Sequence, residues 1–233
     1  MQLTHTCRPA RRLAFPFAFA LVEVLRAVLM TSSASAATQP CAPLQIMYAR
    51  GTGEPANPYG SILGNTLVAD LQQDLSGTSA YEVNYPASLT EPSSVQAGNT
   101  DLVNNITAQA MACPNEKFVL AGYSQGANVV ADSIGVNTSG AVVGGPSVAQ
   151  IPASLAPRVV ALLQFGPPYN QIGESIPSPY SAVTDQFCTS GDLFCSTNPD
   201  PTNGLTIHLT SYQADLASAA AFAAHNTKAG IGA

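Results

Sequence analysis

One stretch of the sequence decides the fold: Phe118-Val-Leu-Ala-Gly-Tyr-Ser124-Gln-Gly-Ala-Asn-Val-Val130. Its apolar first half predicts a buried strand, and its second half continues with apolar residues at helical spacing. Between the two halves, Gly122 and Gly126 flank Ser124 in the pattern Gly-x-Ser-x-Gly, which is typical of a sharp strand-to-helix turn. A serine on so tight a turn lies in strained backbone, and both glycines must lack a Cβ so that the chains can pass. The stretch therefore predicts a raised, nucleophilic serine; the alternative is a glycine-rich loop.

The N-terminal residues predict export. Three arginines precede the apolar run 13–22, and the small residues 34–36 form a cleavage pattern typical of a secretory signal peptide. Glu23 and Arg26 interrupt the apolar segment, which argues against a transmembrane anchor, since an anchor needs about 20 apolar residues in a row. We therefore expect residues 1–36 to be a signal peptide and residues 37–233 to form one extracellular domain.

The charge balance limits the partners. The whole chain has 8 basic and 14 acidic residues; removal of 4 basic and 1 acidic residue with the signal peptide leaves 4 and 13, a formal charge of −9. Nucleic acids and anionic membranes bind basic surfaces, so neither is expected as a partner. We expect a secreted monomer.

Four cysteines remain in the mature chain, an even number that favours disulfides in an exported protein. Three pairings are possible. Cys188 and Cys195 enclose a short loop and are expected to pair, which leaves Cys41 to bridge to Cys113. A zinc site is the alternative, but the mature chain has two histidines and lacks Cys-x-x-Cys spacing. We expect no metal and no cofactor.

Strand and helix patterns alternate along the chain, which predicts an α/β fold with a mainly parallel central sheet covered on both faces. The order is β-α-β-α-β-α-β, followed by a loop-rich segment and a last helix. The predicted strands are 44–49, 81–85, 117–121 and 158–165, and the predicted helices are 60–75, 95–111, 127–134 and 211–228. Parallel strands end at the same edge of a sheet, so the loop 50–55, which carries Thr52, should lie beside Ser124.

A serine hydroxyl needs a general base within hydrogen-bond reach. His208 is the better placed of the two histidines, because His225 lies late in the last predicted helix and is expected to be a solvated helix-end residue. Asp192 is the candidate for orienting the base, because a short disulfide loop would hold its carboxylate in place. Asp185 and Asp200 are rivals by proximity and are expected to be solvated loop carboxylates.

The resulting chain order Ser124, Asp192, His208 is that of α/β-hydrolases. In such a mechanism the tetrahedral oxyanion needs two preorganised donors. The backbone N–H of Gln125, directly after the serine, is one candidate. Thr52, with its N–H and hydroxyl, is the other, and its alternative is an ordinary loop residue.

Four motifs together resemble one family, the cutinases and cutinase-like esterases of fungi and actinobacteria. They are the serine motif within 113–126, the disulfide-framed Gly-Asp-Leu within 188–195, the His-Leu pair at 208–209 and the loop 48–52, in which threonine stands where serine is frequent. The resemblance spans about 41–224. It implies a three-layer α/β-hydrolase without a large lid, the Cys41–Cys113 bridge and a secreted serine esterase that forms an acyl-enzyme.

The substrate class stays open at this point. The family includes polyester (cutin) hydrolases, short-chain esterases, lipases or phospholipases, and acetylxylan esterases, and a short or medium acyl ester is the leading expectation. Four apolar residues near the candidate site are expected either to line an acyl cleft or to pack within loops: Leu193, Leu205, Ile207 and Leu209. The absence of tryptophan disfavours a sugar platform. A catalytically idle surface-binding protein and a serine peptidase are the rival functions.

Overall fold

The computed structural model describes residues 41–56, 58–91 and 93–231, with side chains up to residue 229. The predicted signal peptide lies outside the described residues. The five strands found in this part of the chain are Leu44–Ala49 (β1), Ser79–Glu82 (β2), Lys117–Tyr123 (β3), Val159–Phe165 (β4) and Thr184–Phe187 (β5). All neighbouring strands pair in parallel, in the order β2-β1-β3-β4-β5.

Helices cover both faces of the sheet. The α-helices of the described chain are Gly64–Asp74 (α1), Ser94–Ala112 (α2), Gln125–Ser133 (α3), Gly204–Thr210 (α4) and Leu216–Ile231 (α5). Alternate strand side chains point to opposite faces: Met47 and Leu120 belong to the core cluster with α2 and α3, whereas Ile46 and Val119 pack with α1 and α5. The predicted three-layer α/β sandwich is confirmed.

The strand order determines where the candidate site lies. The sheet grows outward in both directions from β1 and β3, so the helices that follow these two strands, α1 and α3, leave towards opposite faces. A crevice opens beyond the carboxyl ends of two strands at such a switch point, and open α/β sheets bind ligands there. Thr52 follows β1 and Ser124 follows β3, so both lie at this crevice.

Two elements were missed by the sequence analysis. The segment up to Thr184 was expected to be a loop, but a fifth strand begins there; it is short and half-buried at the sheet edge, so it lacks the apolar pattern of an inner strand. The segment around His208 was expected to be a loop and is helix α4, which has only seven residues.

The predicted helix 211–228 begins later in the structure than the sequence pattern indicates. It starts as a 3₁₀ turn over Tyr212–Asp215, and α5 begins only at Leu216.

Both disulfides join the predicted pairs. Cys41–Cys113 ties the chain before β1 to the end of α2, and Cys188–Cys195 closes a small loop after β5. Within the described ranges, no helix combines the length and the hydropathy needed to cross a membrane.

Candidate active site

The turn at Ser124 has the strained geometry that its sequence predicts. Ser124 has φ 54° and ψ −118°, in the left-handed half of the map that residues other than glycine rarely adopt. A Cβ on Gly122 would lie 2.3 Å from the carbonyl oxygen of Gly126, and one on Gly126 would lie 1.9 Å from that of Ala49. Both contacts are far too short, so both positions require glycine. The turn therefore fixes Ser124 between β3 and α3.

A buried hydrogen bond between a histidine and a carboxylate lies beside this turn. His208 Nδ1 is 2.8 Å from Asp192 Oδ2, and both side chains are at most 3% exposed. The other carboxylate oxygen of Asp192 accepts the N–H groups of Phe194 (2.7 Å) and Cys195 (3.0 Å) within the disulfide loop. Burial raises the pKa of Asp192, but the hydrogen bonds donated by His208 and Tyr212 outweigh it and hold this pKa below its usual value. Asp192 is therefore ionised at neutral pH.

The second ring nitrogen of His208 is available for proton transfer. His208 Nε2 is buried, has no hydrogen-bond partner among the described residues and belongs to a side chain that lines the same cavity as Ser124. The structure thus brings the three predicted residues to one place. His225 is exposed on α5, and Asp185 lies in β5. Asp200 lies in the loop before α4, where it accepts the N–H groups of Thr202 and Asn203.

Two tyrosines that none of the sequence motifs indicated hold His208 and Asp192 in place. The hydroxyl of Tyr212 donates to Asp192 Oδ2 at 2.5 Å, to the same oxygen that faces His208. The hydroxyl of Tyr123 donates to the backbone carbonyl of His208 at 2.9 Å, and the two rings stack at 5.1 Å. Their positions, directly before Ser124 and four residues after His208, were the available sequence clue.

The loop after β1 carries an unpaired hydroxyl into the cavity. Thr52 Oγ1 is buried, and within the described ranges it has no hydrogen-bond partner. Gln125 is the first residue of α3, so its N–H is one of the donors that a helix cannot satisfy internally. Both predicted oxyanion donors are therefore available at the switch point.

A buried carboxylate shapes this loop. Glu54 accepts the N–H groups of Gly51 (2.6 Å) and Ile62 (2.7 Å) on either side of the loop that presents Thr52. Burial raises the pKa of Glu54, and these N–H groups oppose the rise. The carboxylate thus fixes the loop to the chain that leads into α1.

The cavity is small and mostly apolar. Its volume is about 170 Å³, and Thr52, Ser124 and His208 open into it. Its remaining walls are Ile62, Leu89, Tyr123, Val142, Val143, Phe194, Leu205 and Leu209. Of the four apolar residues expected at a cleft, only Leu205 and Leu209 line it; Leu193 and Ile207 pack instead against Gly204 and Gly191. A larger groove of about 450 Å³ near the start of β4 holds none of the candidate residues.

Exposed apolar side chains surround the mouth of this cavity. Leu89 is 73% exposed, Val142 47%, Leu205 51% and Leu209 43%. Apolar side chains grouped in this way are uncommon on a soluble surface and favour contact with an apolar ligand or surface.

The fold and this cluster of side chains define an α/β-hydrolase. The family model described as Cutinase matches residues 40–227, and the chain belongs to the cutinase family.

Relatives from bacteria and fungi agree with this assignment. The chain is 34% identical over 202 residues to a cutinase of Kineococcus radiotolerans; the match covers 84% of this chain and 65% of that protein, slightly under two thirds. It is 30% identical over 226 residues to carboxylesterase Culp1 of Mycobacterium tuberculosis, covering 88% of this chain and 95% of Culp1. A solved structure of a Trichoderma reesei cutinase in complex with a C11Y4 phosphonate inhibitor superposes with a TM-score of 0.63 at 30% identity, covering 82% and 78% of the two chains.

Proposed function

We propose that this chain is a secreted serine esterase that hydrolyses carboxylic esters with short or medium acyl chains. The observation that carries the proposal is the buried His208–Asp192 hydrogen bond beside the strained Ser124, with Ser124 and His208 lining one cavity and His208 Nε2 unpaired among the described residues. The names of the relatives, cutinase and carboxylesterase, support an ester as the substrate. The two disulfides suit the oxidising environment of an exported protein.

The geometry supports a two-step acyl transfer. Ser124 Oγ attacks the ester carbonyl carbon while His208 Nε2 takes the hydroxyl proton, and Asp192 stabilises the imidazolium that forms. His208 then gives this proton to the leaving alkoxide, so the alcohol departs and the acyl group stays on Ser124. A water molecule, deprotonated by His208, attacks the acyl-enzyme, and the carboxylic acid leaves as Ser124 recovers its proton.

The oxyanion of each tetrahedral intermediate would lie between Thr52 and the start of α3. The candidate donors are the N–H of Gln125, at the first position of α3, the N–H of Thr52 and the hydroxyl of Thr52, which has no partner in the described chain. Loss of one such donor costs about 3 to 4 kcal/mol of transition-state stabilisation. Because Glu54 fixes the Thr52 loop before substrate arrives, the donors need little reorganisation during the reaction.

The cavity favours a short acyl group. At about 170 Å³ it is smaller than the roughly 300–1,000 Å³ of a typical drug-sized site, so a long chain would have to extend onto the apolar rim. The exposed rim residues favour esters that are presented at an apolar surface, such as a polyester or an aggregated lipid.

Labelling of Ser124 tests the proposal. The mature protein is treated with a fluorophosphonate, the adduct is mapped by peptide mass, and p-nitrophenyl ester turnover is measured from acetate to palmitate. We expect one adduct, on Ser124, and we expect Ser124→Ala to lose at least about 10⁴-fold in turnover with an unchanged melting temperature. His208→Ala should lose activity similarly, and His225→Ala, which changes an exposed histidine, should keep it.

Retained turnover in Ser124→Ala would refute the assignment of the nucleophile. A folded wild-type protein that forms no adduct and hydrolyses no ester would instead favour a binding function without catalysis.

A further inference from the structure

One wall of the cavity is formed by a residue whose backbone is unfavourable for it. Val143 has φ 49°, in the left-handed region, where a β-branched residue is a rare outlier. The N–H of Gly144 donates to the carbonyl of Ala141 at 3.0 Å, so Val143 is the third residue of a β-turn. A positive φ at this position is usually taken by glycine or asparagine. Strain of this kind is concentrated at functional sites, which makes Val143 a candidate for a role in the cavity.

The surrounding loop, residues 136–148, prevents the strain from relaxing. The N–H and hydroxyl of Thr138 donate to Asp132 at 3.0 and 3.1 Å, which anchors the loop to α3. Asn128 Nδ2, also on α3, donates to the carbonyl of Val142 at 3.1 Å. A Cβ on Gly144 would lie 1.9 Å from the carbonyl oxygen of Thr138, so the residue after Val143 must be glycine. The loop thus holds a side chain at position 143 beside the cavity.

Core packing does not account for the valine. Val143 belongs to neither of the two buried core clusters found in the described residues, although Ala141 of the same turn packs against one of them. Its side chain is half-buried and lines the cavity that holds Ser124 and His208. The consequence of this valine is therefore a narrower cavity.

We propose that Val143 is a specificity-determining residue that limits the length of the acyl chain this site accepts. The inference rests on the proposed esterase function and extends it: the preferred substrates are esters of short acids, and the limit is imposed by a side chain that the backbone holds under strain. Removing the side chain should lengthen the acyl chain that fits and should also relax the turn. A variant without the Val143 side chain should therefore accept longer acyl chains and keep its stability, whereas truncation of an unstrained residue in the cavity wall lowers stability.

The test compares Val143→Gly with Val148→Gly. Val148 lies in the same loop, is 56% exposed, does not have a positive φ and does not line the cavity. For each variant and the wild type, kcat/KM is measured for p-nitrophenyl acetate, butyrate, octanoate and palmitate, and the melting temperature is recorded. We expect Val143→Gly to raise the octanoate-to-acetate ratio by at least about 10-fold, the effect of a single methylene in an apolar pocket. Its melting temperature should equal or exceed that of the wild type, whereas Val148→Gly should keep the ratio and melt lower.

Each other outcome contradicts a part of the proposal. An unchanged ratio in active Val143→Gly, or an equal change in Val148→Gly, would overturn the role in selectivity. A melting temperature of Val143→Gly below that of the wild type would overturn the proposed backbone strain at Val143. If the wild type hydrolyses none of the esters, the proposed function itself fails, which separates that failure from the failure of this inference.

Discussion

At the scale of single residues, the candidate site depends on hydrogen bonds that leave few alternatives. Asp192 accepts four of them, from His208, Tyr212, Phe194 and Cys195, so its carboxylate has one orientation. Tyr212 is the least expected of these donors, because it lies outside the disulfide loop. It donates to Asp192 Oδ2, the same carboxylate oxygen that His208 contacts. Its role can be separated from that of packing because its hydroxyl can be removed while the ring is kept.

We expect Tyr212→Phe to lower kcat by about 10-fold with little change in KM, since a hydrogen bond to a charged group contributes about 1.5 to 3 kcal/mol. Loss of this donor raises the pKa of Asp192, which the hydrogen bonds of the folded protein hold low. Asp192 then loses its charge at a higher pH, and the acid limb of the kcat/KM profile moves upward. A pH–rate profile from pH 3 to 9 measures both effects.

Tyr123→Phe is the matched control. The Tyr123 hydroxyl also contacts His208, but through the backbone carbonyl, so its removal should reduce activity without moving the acid limb. A Tyr212→Phe enzyme with wild-type kcat and an unmoved acid limb would show that Tyr212 only fills space.

At the scale of elements, α3 both begins at the candidate nucleophile and anchors the loop 136–148. Asp132 makes this anchor and is fully buried. Burial raises its pKa from 3.8 to about 7, while the hydrogen bonds from Thr138 oppose the rise. The folded state therefore holds this proton more tightly than the unfolded chain. The free energy of unfolding rises as the pH falls from 7 towards 4, and the cost of the buried charge is fully present above pH 7.

Asp132→Asn should therefore stabilise the protein at alkaline pH. The cost of the buried carboxylate is on the order of 4 kcal/mol at most, and asparagine can still accept from the Thr138 N–H. We expect a melting temperature about 5 °C or more above the wild type at pH 8 and nearly equal to it at pH 5. Thermal unfolding at the two pH values decides this: a variant that melts lower at pH 8 would show that Asp132 carries its charge at a net benefit.

At the scale of the whole molecule, the two disulfides serve different parts of the protein. Cys41–Cys113 closes a loop with a sequence separation of 72 and ties β1 to α2, far from the carboxyl edge of the sheet. Cys188–Cys195 has a separation of 7 and frames Asp192. Loop closure restricts the unfolded chain more for the longer loop, by about 4 kcal/mol against about 2 to 3 kcal/mol for the shorter one.

Removal of Cys41–Cys113 should therefore mainly lower stability, whereas removal of Cys188–Cys195 should mainly lower activity. The double variant Cys41→Ser/Cys113→Ser should melt about 10 °C lower and keep its turnover at 20 °C. Cys188→Ser/Cys195→Ser should lose less stability but most of its activity, because the N–H donors to Asp192 lie in that loop. Melting temperature and turnover are measured for both; equal losses of activity would contradict the division of roles.

Several features of this protein were determined by the sequence alone, because they depend on local rules. The glycines around Ser124 are required by contacts within one turn, and the alternation of strands and helices follows from apolar periodicity. The parallel sheet then brings Thr52 and Ser124 to one edge, and a short disulfide loop places a carboxylate. These rules were sufficient to predict the fold and the polar residues Thr52, Ser124 and His208 that line the cavity, but not most of its apolar walls.

The tertiary structure decided what depends on contacts between distant segments. Strand β5 and helix α4 are too short to show a pattern of their own, and they form because the sheet edge and the disulfide loop give them partners. The Tyr212–Asp192 and Glu54–Ile62 hydrogen bonds join residues whose spacing carries no rule. The left-handed valine at position 143 opposes its local preference, so only the anchored loop holds it beside the cavity. Side-chain chemistry was therefore readable from the sequence, whereas the shape and size of the cavity were set by packing.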